Sequence, residues 1–133
     1  MIESSSYEYI KCRQVLYEED VFMERREAFI RWLRKERNKK TGKLIPEKTI
    51  ERYARNIHKL SDVMYENGII DRRLYSMRET EEVTSAIAKI KKEHIYLAMN
   101  EQSENSVHKA LNYYTKFTEA MNARKMDETK KEE

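Results

Sequence analysis

The chain has 133 residues, with 27 basic and 24 acidic side chains making up 38% of the total. That length suits one domain of roughly 100–150 residues and excludes barrel or doubly wound enzymes of about 250. The sequence holds only two glycines and one proline. Average composition would give roughly nine and seven, so phosphate loops, nucleophile elbows and tight hairpins are largely excluded.

The predicted elements are helical from the start. Ser4 to Ser6 cap a first helix over about residues 7–18, with Tyr9, Cys12 and Leu16 along one side. Asp20 is placed to cap the next helix, with Glu24 and Glu27 near its positive end. Phe22, Phe29, Trp32 and Leu33 recur there at helical spacing and point to the core. The basic run 34–42 suits a helix C-terminus, and Gly42 marks a loop. Pro46 opens a helix that runs to about Glu66, where Asn67-Gly68 stops it. Arg72 to Met77 reads as a loop or short helical turn presenting Leu74 and Tyr75 to the core. Thr80 caps a further helix whose inner stripe is Val83, Ile87, Ile90 and His94 or Leu97. Residues 100–104 read as a loop. Ser103 or Asn105 opens the last helix, with Val107, Ala110, Leu111, Tyr114, Phe117 and Met121 inward. Of the adjacent Tyr113 and Tyr114, only Tyr114 can face fully inward, leaving Tyr113 as a half-buried shoulder.

The fold class expected is therefore all-α, a compact bundle of four to five helices. Its division is an acidic N-terminal helix or arm over 1–20, a helical domain over 21–122, and a charged flexible tail over 123–133. Cys12 is the only cysteine, which rules out an intramolecular disulfide and a thiolate metal cluster and fits a small buried hydrophobe in a reducing cytosol. His58, His94 and His108 show no metal-ligand spacing, so no metal or cofactor is expected. No apolar run approaches the roughly 18 residues of a membrane span, and Met1 to Ser6 does not have the pattern of a signal peptide. The expectation is a cytoplasmic protein without membrane contact.

The net charge of +3 conceals a strong asymmetry. Residues 1–20 carry −3, residues 21–60 carry +8 and residues 61–133 carry −2. Local potential steers association more than overall charge does, so the middle segment points to a polyanionic partner.

Two helix faces focus that charge. At about 100° per residue, Ile50, Tyr53, Ile57, Leu60 and Met64 share one side of the 46–66 helix. Lys48, Arg52, Arg55 and Lys59 share a strip on the opposite side. Such a row contains no carboxylate, although Glu47 and Glu51 on its flank offer partners, and its spacing suits the phosphates of a nucleic-acid strand. On the last helix Asn105, Lys109, Asn112 and Lys116 share one line, alternating amides with cations that can read base edges and phosphates. Lys39, Lys40 and Lys43 extend the basic surface ahead of the 46–66 helix. Trp32 is expected in the core, and His94 at the core or its boundary. No Ser-His-Asp set, Cys-His pair or acidic metal cluster is present in pattern, so the domain is read as non-enzymatic.

The stretch Ile45-Pro46-Glu47-Lys48-Thr49-Ile50-Glu51-Arg52-Tyr53-Ala54-Arg55-Asn56-Ile57-His58-Lys59-Leu60 resembles the opening of the SAM-like core-binding domain of phage integrases and other tyrosine recombinases. Thr49, Tyr53, Ile57 and Leu60 match its Thr-x3-Tyr-x3-apolar-x2-Leu rhythm. Ala110-Leu111-Asn112-Tyr113-Tyr114-Thr115-Lys116-Phe117 is similar to that family's final helix, and Leu74-Tyr75 through Ile90 to its middle. A related helical module precedes some restriction endonucleases and methylcytosine-dependent restriction ATPases. The resemblance spans about residues 22–122 and implies a bundle that grips duplex DNA as one half of a clamp. It also implies that the 46–66 and 105–122 helices face the DNA. Residues 123–133 match neither the recombinase catalytic domain nor a nuclease or ATPase domain, so the resemblance covers the binding half alone. The expected partners are thus duplex DNA and either a protein partner or the missing catalytic domain. Two alternatives follow from the same residues: a helical protein-interaction module, such as a small phage regulator or inhibitor of a host enzyme, and a single-strand or RNA binder stacking on Tyr113.

Overall fold

A computed structural model of the chain describes residues 24–38 and 40–132, with side chains described as far as Arg124. Five α-helices lie within these residues: α1 (24–35), α2 (Glu47–Glu66), α3 (Thr80–Lys91), α4 (His94–Gln102) and α5 (Ser106–Glu132). A single 3-10 turn, Leu74–Ser76, joins α2 to α3. Among the described residues the only β feature is an isolated bridge between Arg37 and Leu44. The chain is an all-α bundle. The predicted first helix over 7–18, the Asp20 cap, and the placements of Cys12 and Phe22 lie outside the described residues.

The core sits where α2 and α5 cross, and α1 covers it. Ile50, Tyr53, Ile57, Leu60 and Met64 of α2 are buried, as their spacing predicts. Val107, Ala110, Leu111, Tyr114 and Phe117 of α5 are buried against them, and Met121 packs on the edge. Phe29 of α1 fills the centre, with its ring 5.2 Å from Tyr114 in a T-shaped pair and 5.3 Å from Phe117. Such pairs add about 0.5–1.5 kcal/mol each beyond the area they bury.

Buried polar groups tie the 3-10 turn between the two long helices. Ser61 Oγ accepts from the Leu74 amide at 2.7 Å, and Tyr75 Oη donates to the Ala54 carbonyl at 2.9 Å. Tyr114 Oη donates to the Leu74 carbonyl at 2.6 Å. Each bond satisfies a group that burial would otherwise penalise by about 1–3 kcal/mol. This is why Leu74 and Tyr75, fully buried, reach the core as expected.

Helix ends follow known local chemistry, with three departures from the sequence reading. Gly68, at φ 72°, closes α2 in a Schellman arrangement: the Ile69 amide donates to the Met64 carbonyl and the Gly68 amide to the Tyr65 carbonyl. First, the expected single helix over 80–99 is two. Lys92 and Glu93 break it, and Glu93 takes an extended ψ of 139° that resets the helical phase. Tyr96 therefore turns inward, while His94 and Leu97 are exposed rather than on the inner stripe. Second, Asn105 opens α5 through its backbone, its carbonyl accepting from the Lys109 amide at 3.1 Å, and not through its side chain. It stands at φ 69° after Glu104 at φ 55°, closing α4 through a bond from the Asn105 amide to the Asn100 carbonyl. Ser103 supplies the cap instead, its Oγ accepting from the Val107 amide at 3.1 Å. Third, α5 continues helically through Glu132, past the expected boundary at 122. Residues 120–132 contain neither glycine nor proline and many good helix formers.

Candidate nucleic-acid interface

The outer face of α2 holds the cation row. Lys48, Arg52, Arg55 and Lys59 are all exposed, on the side of the helix away from its buried stripe. Among the described residues none of the four forms an ion pair. The neighbouring carboxylates are turned elsewhere. Glu47 accepts from Arg34 of α1, with Nη2 at 2.7 Å and Nε at 3.0 Å from one oxygen. That hydrogen bond, then the charge of Glu47, raises the Arg34 pKa above its ordinary value, and Glu51 adds to it. Asp62 accepts from Arg73 Nε at 2.8 Å and lies 3.1 Å from His58 Nε2. Glu47 is therefore committed to α1, Glu51 is exposed without an ion pair among the described residues, and the four cations of the row outnumber the carboxylates left beside them.

The basic loop leading into α2 is held shut by its own hydrogen bonds. The Gly42 amide donates to the Asn38 carbonyl at 2.8 Å, and the Asn38 amide donates to the Lys43 carbonyl at 2.8 Å. Asn38 Oδ1 accepts from the Lys40 amide at 2.8 Å, and Arg37 Nη1 donates to the Gly42 carbonyl at 3.1 Å. Gly42 takes φ 68°, which a residue with a Cβ adopts only under strain. Lys40 and Lys43 are exposed on this loop, and Lys39 lies outside the described residues.

The row expected on α5 does not survive intact. Asn105 is in the turn before the helix, and its Oδ1 accepts from Asn100 Nδ2 at 3.1 Å. Asn112 lies 3.3 Å from His108 Nε2, so its amide is engaged along its own helix. Lys116 is half-buried, with Nζ 5.6 Å from the centroid of the Tyr113 ring. Lys109 alone of the four is both exposed and helical without such an engagement among the described residues. Tyr113 is the half-buried shoulder predicted for it. Its ring lies 5.5 Å from Tyr53 and 6.4 Å from Trp32, itself half-buried at the edge of the core. Burial, then proximity to Tyr113, raises the Tyr53 pKa. With neighbours on several sides, Tyr113 has little free ring face to stack on a base.

The two outer faces meet along a seam that sequence reasoning missed. Asn56 Nδ2 donates to Ser106 Oγ at 2.6 Å, joining α2 to the first residue of α5. Arg52 and Lys59 lie one turn to either side of Asn56, and Lys109 lies one turn beyond Ser106. The basic positions of α2 and Lys109 of α5 thus border one seam. Its only advance signal was Asn56 itself, a polar residue between the apolar stripe and the cations.

Among the described residues no group of three or more His, Cys, Asp or Glu is placed to hold a metal ion. No helix among them is long and apolar enough to cross a membrane. The exposed large apolar side chains are scattered: Arg73 lies 4.5 Å over the Tyr65 ring, and Ile95 and Leu97, two residues apart on α4, face different sides. No family model matches the chain, and neither the curated proteins nor the solved structures contain a significant match.

Proposed function

We propose that this chain is a non-catalytic duplex-DNA-binding module that docks the outer face of α2 on backbone phosphates. The observation that carries the reading is the Lys48, Arg52, Arg55 and Lys59 row, exposed and without ion pairs among the described residues, while Glu47 and Asp62 are bound to other partners. Four like charges along one helix repel one another, and an anion lying alongside relieves that repulsion. Phosphates repeat along a strand and meet such a row at several points at once. Exposed Lys40 and Lys43, on the loop leading into α2, and exposed Lys109, one turn beyond Ser106, add positive charge to the same molecule's basic side. The likeness of 45–60 and 110–117 to integrase-type and restriction-type helical modules supports the same reading and belongs to the proposal.

A helical protein-interaction module is the alternative, and among the described residues the scattered exposed apolar side chains give it no contiguous docking patch. Fluorescence anisotropy with a short duplex at low salt separates the two. The DNA reading requires binding that is lost when Lys48, Arg52, Arg55 and Lys59 are all replaced by Glu, with helicity and melting unchanged. Equal binding by the charge-reversed protein would sink it.

A further inference from the structure

The Asn56–Ser106 bond does more than join two helices if the α2 face meets DNA, and the inference drawn from it rests on that reading. Asn56 is half-buried in the seam, and Ser106 beneath it is only 7% exposed. One amide hydrogen of Asn56 is committed to Ser106 Oγ at 2.6 Å, which fixes the orientation of the carboxamide. The Asn56 side chain makes no other hydrogen bond among the described residues, so its second N–H is available. Around it stand three exposed cations: Arg52 and Lys59 one turn away on α2, and Lys109 one turn beyond Ser106 on α5.

A donor held in place by a buried neighbour and rimmed by cations suits a group that is compact, anionic and projecting. A phosphate oxygen meets all three conditions. A base edge does not, because it lies deep in a groove and cannot reach below the tips of long side chains. We propose that Asn56 seats one backbone phosphate of the duplex in the α2–α5 seam, with Ser106 as the positioning residue that aims the amide. Arg52, Lys59 and Lys109 supply the long-range attraction, and Asn56 fixes the register by a short, directed hydrogen bond.

The neutral amide makes this separable from general electrostatics. Replacing Asn56 by Ala removes a hydrogen bond to a charged group, so affinity for a short duplex falls by about tenfold. The slope of log affinity against log salt stays the same, because no cation has been lost. Ser106→Ala gives a smaller loss, also without a change of slope. Asn56→Asp keeps the shape and reverses the bond, its carboxylate accepting from Ser106 Oγ–H in place of the donated amide hydrogen. Its carboxylate lies between Arg52 and Lys59, so melting stays at or above the original value, while affinity falls by about a hundredfold or more through repulsion of the phosphate.

The decisive arm replaces single phosphates of the duplex, one at a time, by neutral methylphosphonates. With the unaltered protein one position weakens binding beyond the general loss of charge, and with Asn56→Ala that extra loss disappears. The inference is overturned if the Asp variant binds like the original, or if both proteins give the same methylphosphonate profile. If those outcomes occur while reversing the α2 row still abolishes binding, only the role of Asn56 falls. If the unaltered protein does not bind duplex at low salt, both proposals fall together.

Discussion

On α2, residues spaced for one face share that face from Lys48 to Lys59, all exposed. On α5 the same spacing, Asn105, Lys109, Asn112 and Lys116, yields a turn residue, a free lysine, an amide tied to His108 and a lysine packed over Tyr113. The difference lies in what bounds and borders each helix. α2 runs unbroken from Pro46 to the Gly68 turn, so its phase holds across the whole row. α5 begins one residue after its predicted first member, and its row passes beside an aromatic cluster that recruits Lys116. Periodicity fixes direction around an axis, but neighbours decide whether a side chain remains available.

The widest test of that contrast compares the two rows directly. Reversing Lys48, Arg52, Arg55 and Lys59 to Glu should lower duplex affinity by about a hundredfold or more, since up to four phosphate contacts become repulsions. Replacing Lys109, Asn112 and Lys116 by Ala should cost about tenfold or less, because Lys109 is the only uncommitted cation among them. Comparable losses from the two sets, read by anisotropy at one salt concentration, would erase the distinction between the faces.

The inward side of α5 should show in stability rather than in binding. Tyr114→Phe removes one of two donors to the Leu74 carbonyl, which keeps the Met77 amide, and should cost about 0.5–1.5 kcal/mol in urea unfolding, with no change in duplex affinity. The same residue predicts an alkaline limit. Burial pushes Tyr114 from 10.0 to about 12, with Arg25 pulling the other way. A raised folded pKa means full stability below pH 10 and progressive loss as pH rises from 10 towards 12. A melting temperature that stays flat across that interval would contradict the burial of this phenol.

Two smaller effects sharpen the account of how α5 starts and what holds its cation. Glu104 occupies the left-handed region at φ 55°, so Glu104→Gly should stabilise the chain by about 1 kcal/mol. Lys116→Ala should cost about 0.5–1 kcal/mol by removing the ammonium over Tyr113, whereas Lys59→Ala should leave stability unchanged. Equal melting shifts for these two lysine variants would mean that the α2 row is as engaged internally as α5.

Much of this was legible in the sequence, and the limits have physical causes. The α2 stripe, the Asn67-Gly68 stop, the inward Leu74 and Tyr75 and the buried face of α5 follow from apolar spacing and turn chemistry. The break at Lys92–Glu93 did not, because neither residue is a breaker and the apolar spacing of Val83, Ile87 and Ile90 extends smoothly to His94. Tyr96, two positions beyond, is inward only because the phase resets. Contacts between elements were equally hidden. Glu47 is one turn from Glu51 in sequence, yet its partner is Arg34 on α1, and nothing local marks Asn56 as the neighbour of Ser106.

The central claim is that the α2 row neutralises phosphates of duplex DNA, and salt-dependent anisotropy tests it most directly. Log affinity should fall linearly with log salt, with a slope of about −0.9 for each phosphate neutralised. Single replacements of Lys48, Arg52, Arg55 or Lys59 by Ala should each reduce the steepness by about one such step. No measurable binding at low salt, or a slope unaffected by these replacements, would contradict the account.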